Sequence, residues 1–298
     1  MSVSNIQRRA YSSDLTLAQW SILSPMLRPN TGRGRRNIHD LKDIVDAILY
    51  INVNGCKWVD LPHDFPPPTS VSHHYRTWSK DGTWRRINDA LREAVRERAG
   101  RDPHPSLGSI DSQTTKAAGT GGARGYDGGK RTTGRKKHIL VDTMGLLVVV
   151  LVTAACVPDG VGAVGLLKRI SRFDQPRLRV ILADSAYHRE VLYDYASDKP
   201  DEIQITSRPE GATGFVPIRH RWAVERTFGW LTQHRRNVKD YERTYDSSEA
   251  HVYISSVRLM LRRLSKVNMT PGSGGASNAQ NPRLAACFFT VWSLIEGL

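Results

Sequence analysis

The segment Leu146–Cys156 is a run of eleven residues in which only Thr153 has a polar side chain. It is too short to span a bilayer, which takes about 20 apolar residues. Its part Leu146–Val152 suits a strand buried on both faces, and such a strand needs helices packed on its sheet. This region therefore reads as α/β, with a mixed sheet flanked by helices. The flanking pattern agrees. Leu107–Asp111 reads as a strand, Lys136–Asp142 and Leu146–Ala155 as a hairpin turning at Thr143-Met-Gly145, and Leu178–Asp184 and Glu202–Thr206 as two more strands. Gly162–Phe173, His188–Ala196, Pro217–Arg236 and Ser247–Leu264 read as helices. The glycine-rich stretch from Gly119 to Gly134 matches no phosphate-binding pattern and reads as a flexible basic hairpin tip.

Before Asp102-Pro-His-Pro105 the pattern is helical. Ser13 or Asp14 is placed to cap a helix with Leu17, Trp20, Leu23 and Leu27 on one face. A second helix starts at Asp40 and stops at Asn54-Gly55. After Pro66-Pro-Pro68, Thr69 or Ser70 starts a third, carrying His73, His74, Arg76 and Trp78. The turn Lys80-Asp81-Gly82 leads to a fourth, with Trp84, Ile87, Leu91 and Val95 inward and Arg85, Arg86, Arg92 and Arg96 outward. The last two resemble a helix-turn-helix, a pattern that many helical domains also contain. The two histidines are adjacent and point about 100° apart, so they do not clamp one ion.

Charge narrows the partners. The 298 residues contain 43 Lys+Arg against 29 Asp+Glu, a net charge of +14. That favours an anionic partner, of which nucleic acid is the commonest large one. The three cysteines, Cys56, Cys156 and Cys287, form no pairing motif and fit a reducing cytosol. Met1–Ala10 has no apolar signal region, and no run is long enough for a membrane span, so a cytoplasmic, nucleoid-associated protein is expected.

On this basic chain three acids stand out: Asp111 and Asp184, each at the end of an apolar strand, and Glu225, inside a helix with Trp222 and Phe228 to its two sides. A strand that finishes in Asp places a carboxylate at the carboxyl edge of the sheet, where α/β active sites lie. The ordinary alternative for either Asp is a cap or turn residue. Ile218, Arg221, Gly229, Thr232 and Arg236 share the Glu225 face within about 40°. The ordinary alternative there is a Glu225–Arg221 ion pair worth ~0.3–0.5 kcal/mol. The flanking aromatics imply instead that this face is covered, by the sheet or by DNA. Three carboxylates on two strands and a helix suit two Mg²⁺ ions about 4 Å apart, which act on phosphodiesters. Basic residues flank the acids: Arg124, Lys130, Arg131, Arg135, Lys136 and Lys137 around the hairpin, and Arg219, Arg221, Arg226, Arg235 and Arg236 around the helix.

Several motifs closely resemble bacterial insertion-sequence transposases of the DDE type, above all the insertion-sequence-five family. They are Asp111-Ser-Gln-Thr-Thr-Lys116, Arg124-Gly-Tyr-Asp-Gly-Gly-Lys130, Gly134–Asp142, Ala183-Asp-Ser-Ala-Tyr187, Arg221–Leu231 and Asp240-Tyr-Glu-Arg243, with Gly55–Pro62 and Phe65-Pro66 resembling the family's N-terminal part. The resemblance covers roughly residues 13 to 264. It implies an RNase H-like fold with Asp111, Asp184 and Glu225 as catalytic metal ligands for Mg²⁺, manganese being able to substitute. It further implies cleavage at terminal inverted repeats of double-stranded DNA, strand transfer into target DNA, and a homodimer in the synaptic complex. Related transposases carry Tyr-x2-Arg-x3-Glu-x6-Lys, whereas this chain has Ile218 and Thr232 at the first and last positions. Arg236, on the same face, is the candidate substitute for the lysine.

The expected organisation is a helical DNA-binding domain over 1–100 that uses Arg76 and Arg85, an RNase H-like DDE domain over 105–266, and a linker with an apolar tail over 267–298. That tail reads as non-family sequence appended past the original stop, with docking on the core or an interface as the other readings. Two rival functions remain open: a recruited or inactive DNA-binding relic, and an RNase H-like nuclease without strand transfer.

Overall fold

The computed structural model describes residues 8–27, 38–119, 121–170, 174–187, 190–197, 202–205 and 222–266. Helix α1 (Leu17–Leu23) begins where the Thr16 hydroxyl accepts the Gln19 N–H and the Gln19 side chain accepts the Thr16 N–H. This reciprocal cap satisfies two donors at once. The expected Asp14 is already used, by Arg8 and the Tyr11 N–H. The shift leaves Leu17 on the surface, while Leu23 and Leu27 are buried. Helix α2 (Leu41–Asn54) is capped by Asp40 and ends on Gly55, whose φ of 75° is the left-handed conformation glycine tolerates. Helix α3 (Pro68–Lys80) opens on a proline, and the Asp81-Gly82 turn leads into α4 (Thr83–Arg98).

Helix α4 buries Trp84, Ile87, Leu91 and Val95, as its periodicity predicts, but also Arg92 and Arg96, which were expected outside. The reason is that α4 lies between α9 (Tyr245–Ser265) and strand β4 (Leu147–Ala154), so no side of its inner half meets water. Arg92 pairs with Asp89, and Arg96 pairs with Asp142.

The remaining strands are β1 (Leu107–Lys116), β2 (Gly125–Asp127), β3 (Thr132–Asp142), β5 (Val180–Ala183) and β6 (Glu202–Ile205). Strand β3 pairs antiparallel with β1 on one edge, and with β4 and the short β2 on the other. Strand β1 then pairs parallel with β5, and β5 parallel with β6. Three antiparallel strands followed by two parallel ones, with helices on both faces, is the RNase H-like arrangement. Helices α5 (Asp159–Leu167) and α6 (Glu190–Ser197) cover one face, where Ile110, Leu140 and Val149 meet Ala163, Leu166 and Leu192. Helices α4, α7 (Trp222–Thr232) and α9 cover the other, over Ile139, Val141, Val150 and Val152. Buried residues of α1–α4 are continuous with this second core, so the N-terminal helices pack directly onto the sheet assembly.

Strand β1 and the helix of Glu225 differ from the sequence reading. Strand β1 does not stop at Asp111; β3 stays paired with it to Lys116↔Gly134. The helix expected to Arg236 ends at Thr232, and the chain restarts as α8 (Arg235–Val238). The break has a polar cause: the His234 imidazole turns inward to Asn52, and the Asn237 amide donates to Leu231 O at 3.3 Å. Residues 217–221 and the tail 267–298 lie outside the described residues. None of the described helices is long and apolar enough to cross a membrane.

Candidate active site

The parallel pairing of β1 with β5 runs Leu107↔Val180, Gly108↔Ile181, Ser109↔Leu182 and then stops. Two residues further along each strand stand Asp111 and Asp184. They are level with each other, at the point where the sheet parts along its carboxyl ends. Asp111 is thus a mid-strand residue placed at an edge, because its other neighbour, β3, continues while β5 does not. In the antiparallel register it stands opposite Ile139, whose side chain lies in the core under α7. Asp111 Oδ1 accepts the Ser112 N–H at 2.7 Å. Asp184 opens a single 3-10 turn, Ser185–Tyr187, in which its Oδ1 accepts the Ala186 N–H at 2.9 Å. That bond fixes one oxygen of the carboxylate.

Glu225 comes from the third element, α7, which packs against β1 and β3. Ala223, Val224, Thr227, Phe228 and Leu231 form its buried side. The Thr227 hydroxyl donates to Gly145 O at 2.8 Å, tying the helix to the β3–β4 turn. Glu225 lies on the opposite, exposed side, and a Cβ added to Gly229, one turn on, would meet nothing within 4 Å. The described chain does not cover this face, contrary to the expectation that the sheet might. Among the described residues no three His, Cys, Asp or Glu side chains stand close enough together to hold a metal ion. The two aspartates are brought together, and Glu225 is placed on the helix that flanks them.

Two further groups stand beside the aspartates. Tyr187 ends the turn begun by Asp184 and is 1 % exposed. Its hydroxyl has no hydrogen-bond partner of good geometry. Burial, and then the charges of Asp111, Asp159 and Asp184, hold its pKa well above the usual phenol value. Asp159, in the first turn of α5, accepts the Ser112 hydroxyl at 2.7 Å and pairs with Lys136 at 3.1 Å. Sequence reasoning missed both. Asp159 follows the apolar run by three residues, so the acid-after-strand rule that selected Asp111 and Asp184 also reaches it.

The expected basic residues divide sharply. Arg124, Lys130, Arg131, Arg76 and Arg235 are exposed. Arg226 is half-buried, with its guanidinium 4.0 Å from the Trp222 ring centroid and 4.6 Å from that of Trp230. Arg85 donates to Arg169 O at 2.7 Å and faces Asp174. Arg221 lies outside the described residues. Four others are inside the protein, where a DNA backbone does not reach. Arg135 donates to Ala123 O, Asp240, Thr244 O, Ser248 and Arg243 O. Lys136 reaches Val157 O and Asp159. Lys137 donates to Asn237 O at 2.9 Å, and burial brings its pKa down to about 8. Arg236 is held by Glu242 and Cys56 O, in a helix separate from that of Thr232. It does not share the Glu225 face and does not stand in for the missing lysine. Arg135, Lys136 and Lys137 share a cause: β3 is paired on both edges and packed by helices on both faces, so its cations serve as internal ties, while Arg236 is buried on α8 against Glu242.

A family model described as "Putative transposase of IS4/5 family" matches residues 15–88, and one described as "Transposase DDE domain" matches residues 102–261. No curated protein matches the chain.

Proposed function

The chain belongs to the DDE transposases, its N-terminal part to the IS4/5 type, and we propose that it cuts and joins DNA at one site formed by Asp111, Asp184 and Glu225. The observation that carries this reading is the level placement of Asp111 and Asp184 where β1 and β5 part. The helix of Glu225 is seated beside them on β1 and β3.

The donor set suits a hard divalent cation, because carboxylates offer only oxygen ligands. Burial is the main cause of the raised Tyr187 pKa, and the carboxylates of Asp111, Asp159 and Asp184 add to it; a cation at this edge would offset their negative charge. Asp111, Asp184 and Glu225 would hold Mg²⁺, or Mn²⁺ in its place. When bound, the metal supplies charge stabilisation at the phosphorus and an acidified water or 3′-hydroxyl. The protein's own part is to position. The turn at Asp184 fixes its carboxylate, and the contact of Thr227 with Gly145 O fixes the helix of Glu225. Arg124, Lys130 and Arg131 on the hairpin, Arg76 on α3, Arg226 next to Glu225 on α7, and Arg235 on α8 contact the backbone of double-stranded DNA. The DNA is the element's inverted repeats and the target, and two copies of the chain hold the two ends.

The test is metal-dependent nicking of a duplex carrying the element's ends. Asp111→Ala, Asp184→Ala and Glu225→Ala should each abolish nicking and leave duplex binding without metal unchanged. Nicking by Asp184→Ala at the wild-type rate would show the three-acid assignment to be wrong. Joined products with a target plasmid distinguish transposition from hydrolysis alone.

A further inference from the structure

Four arginines gather where α7 meets α9: Arg226 on α7, and Arg258, Arg262 and Arg263 on α9. They crowd one another. Burial and then Arg262 bring the pKa of Arg258 down to about 10, and burial and then Arg226 lower that of Arg263. Among the described residues none of the four has a carboxylate within ion-pair distance; Asp142, paired with Arg96, acts on Arg226 and Arg263 from farther off. Their partners are carbonyls and indoles. Arg258 donates to Ser12 O and Arg226 to Met144 O, each at 2.9 Å. Arg226 and Arg263 both lie against Trp230, 4.6 and 4.7 Å from its ring centroid.

Beside this cluster the surface opens into a small cleft. Thr227, Trp230, Gln233, His234, Arg258 and Arg262 line it. Burial, Arg258 and Arg262 hold the His234 pKa at about 4, so this wall adds no competing cation near neutrality. Like charges held together in a half-buried place cost free energy until an anion joins them. Guanidinium and amide N–H groups around a concave, carboxylate-free space are the donors that a phosphate oxygen accepts from. The α7 wall of the cleft is the buried side of that helix, Thr227 and Leu231, which turns away from Glu225.

We propose that this cleft binds a backbone phosphodiester of duplex DNA, with Arg262 as its exposed contact and Arg258 behind it. The proposal rests on the DNA-transposase reading and adds a phosphate subsite on α9 to it.

The experiment measures binding of the full chain to a duplex of arbitrary sequence across a range of salt, since phosphate contacts carry no sequence information. Arg262 is exposed, so Arg262→Ala and Arg262→Glu should keep the wild-type unfolding midpoint. Both should bind roughly tenfold more weakly near 0.1 M salt, with the slope of log K against log salt reduced by about one. Arg262→Lys should restore most of the slope. Unchanged affinity and slope in the Ala and Glu variants overturn the proposal alone. A wild-type chain with no salt-dependent duplex binding overturns it together with the parent reading. Inorganic phosphate is the second probe. Quenching of tryptophan emission by phosphate that is lost in Arg262→Ala and relieved by duplex supports the subsite. Quenching that persists in saturating duplex marks a free-anion site and overturns the phosphodiester assignment.

Discussion

Arg96 of α4 and Asp142 at the end of β3 form an ion pair inside the protein, their side chains 6 % and 0 % exposed. The same carboxylate accepts the N–H groups of Met144 and Leu146, each at 2.8 Å. It thereby shapes the β3–β4 turn, whose Gly145 O receives the Thr227 hydroxyl of α7. One carboxylate thus connects the N-terminal helices to the turn on which the helix of Glu225 is seated. Removing one partner strands the other charge away from water, at a cost of about 3–5 kcal/mol. Arg96→Met should lose that much in urea unfolding, and Arg96→Met with Asp142→Asn should recover part of it. A loss under ~1 kcal/mol for the single variant would show that the pair is not a buried anchor.

Arg135 and Lys130 are close in sequence and opposite in role. The Arg135 guanidinium reaches five acceptors through a planar fork that lysine lacks. Arg135→Lys should therefore lower the unfolding midpoint and soluble yield. Lys130 is exposed, so Lys130→Ala should leave stability within about 0.5 kcal/mol. The same change should weaken duplex binding and reduce its salt slope by about one. Circular dichroism melts and anisotropy titrations of the same two preparations check both halves.

This division marks where reading the sequence stops. The main strands and helices, the Asp40 and Gly55 helix ends and the β3–β4 turn follow from local periodicity and caps and appear in the expected order, whereas the short β2 and α8 do not follow from the pattern. The level placement of Asp111 and Asp184 has another origin. It depends on which strands pair and where the pairing ends, and a linear pattern does not encode that. Arg92, Arg96, Arg135 and Lys137 look like surface cations because charge is usually solvated. Burying them takes acceptors supplied by distant segments, such as Asp142 for Arg96 and Asp240 for Arg135. The end of α7 at Thr232 follows from a tertiary contact too, between His234 and Asn52.

Stability should fall on mild acidification. Burial lowers His138 to about 4 and, with Arg258 and Arg262, brings His234 to about 4. Both values lie below the ordinary histidine value of about 6.5. The unfolded chain therefore takes up protons between about pH 6.5 and 4 that the folded chain refuses, and folding weakens as pH drops through that window. Each histidine contributes roughly 3 kcal/mol over the full interval. Burial alone would raise Glu242, but His251, Arg236 and Ser247 hold it well below the usual carboxylate value, so its share is lost only at lower pH. Denaturant unfolding at pH 7, 5.5 and 4.5 should show a steep decline, flatter in His234→Gln. Equal stability at pH 7 and 4.5 would contradict the burial of both rings.

Gly229 separates the folding role of α7 from its chemical role. It sits one turn past Glu225 on the exposed face, inside a helix, where glycine costs about 0.5–1 kcal/mol relative to alanine. A Cβ there meets no atom within 4 Å, so nothing in the folded chain demands the glycine. Gly229→Ala should raise stability by roughly that amount. If DNA lies across this face, a large side chain will obstruct it without disturbing the core. Gly229→Phe should therefore fold with a midpoint near that of the wild type and nick DNA far more slowly. The loss should appear mainly as a higher KM for duplex, because the three acids are untouched. Wild-type nicking kinetics in Gly229→Phe would place the substrate elsewhere and remove Glu225 from its path.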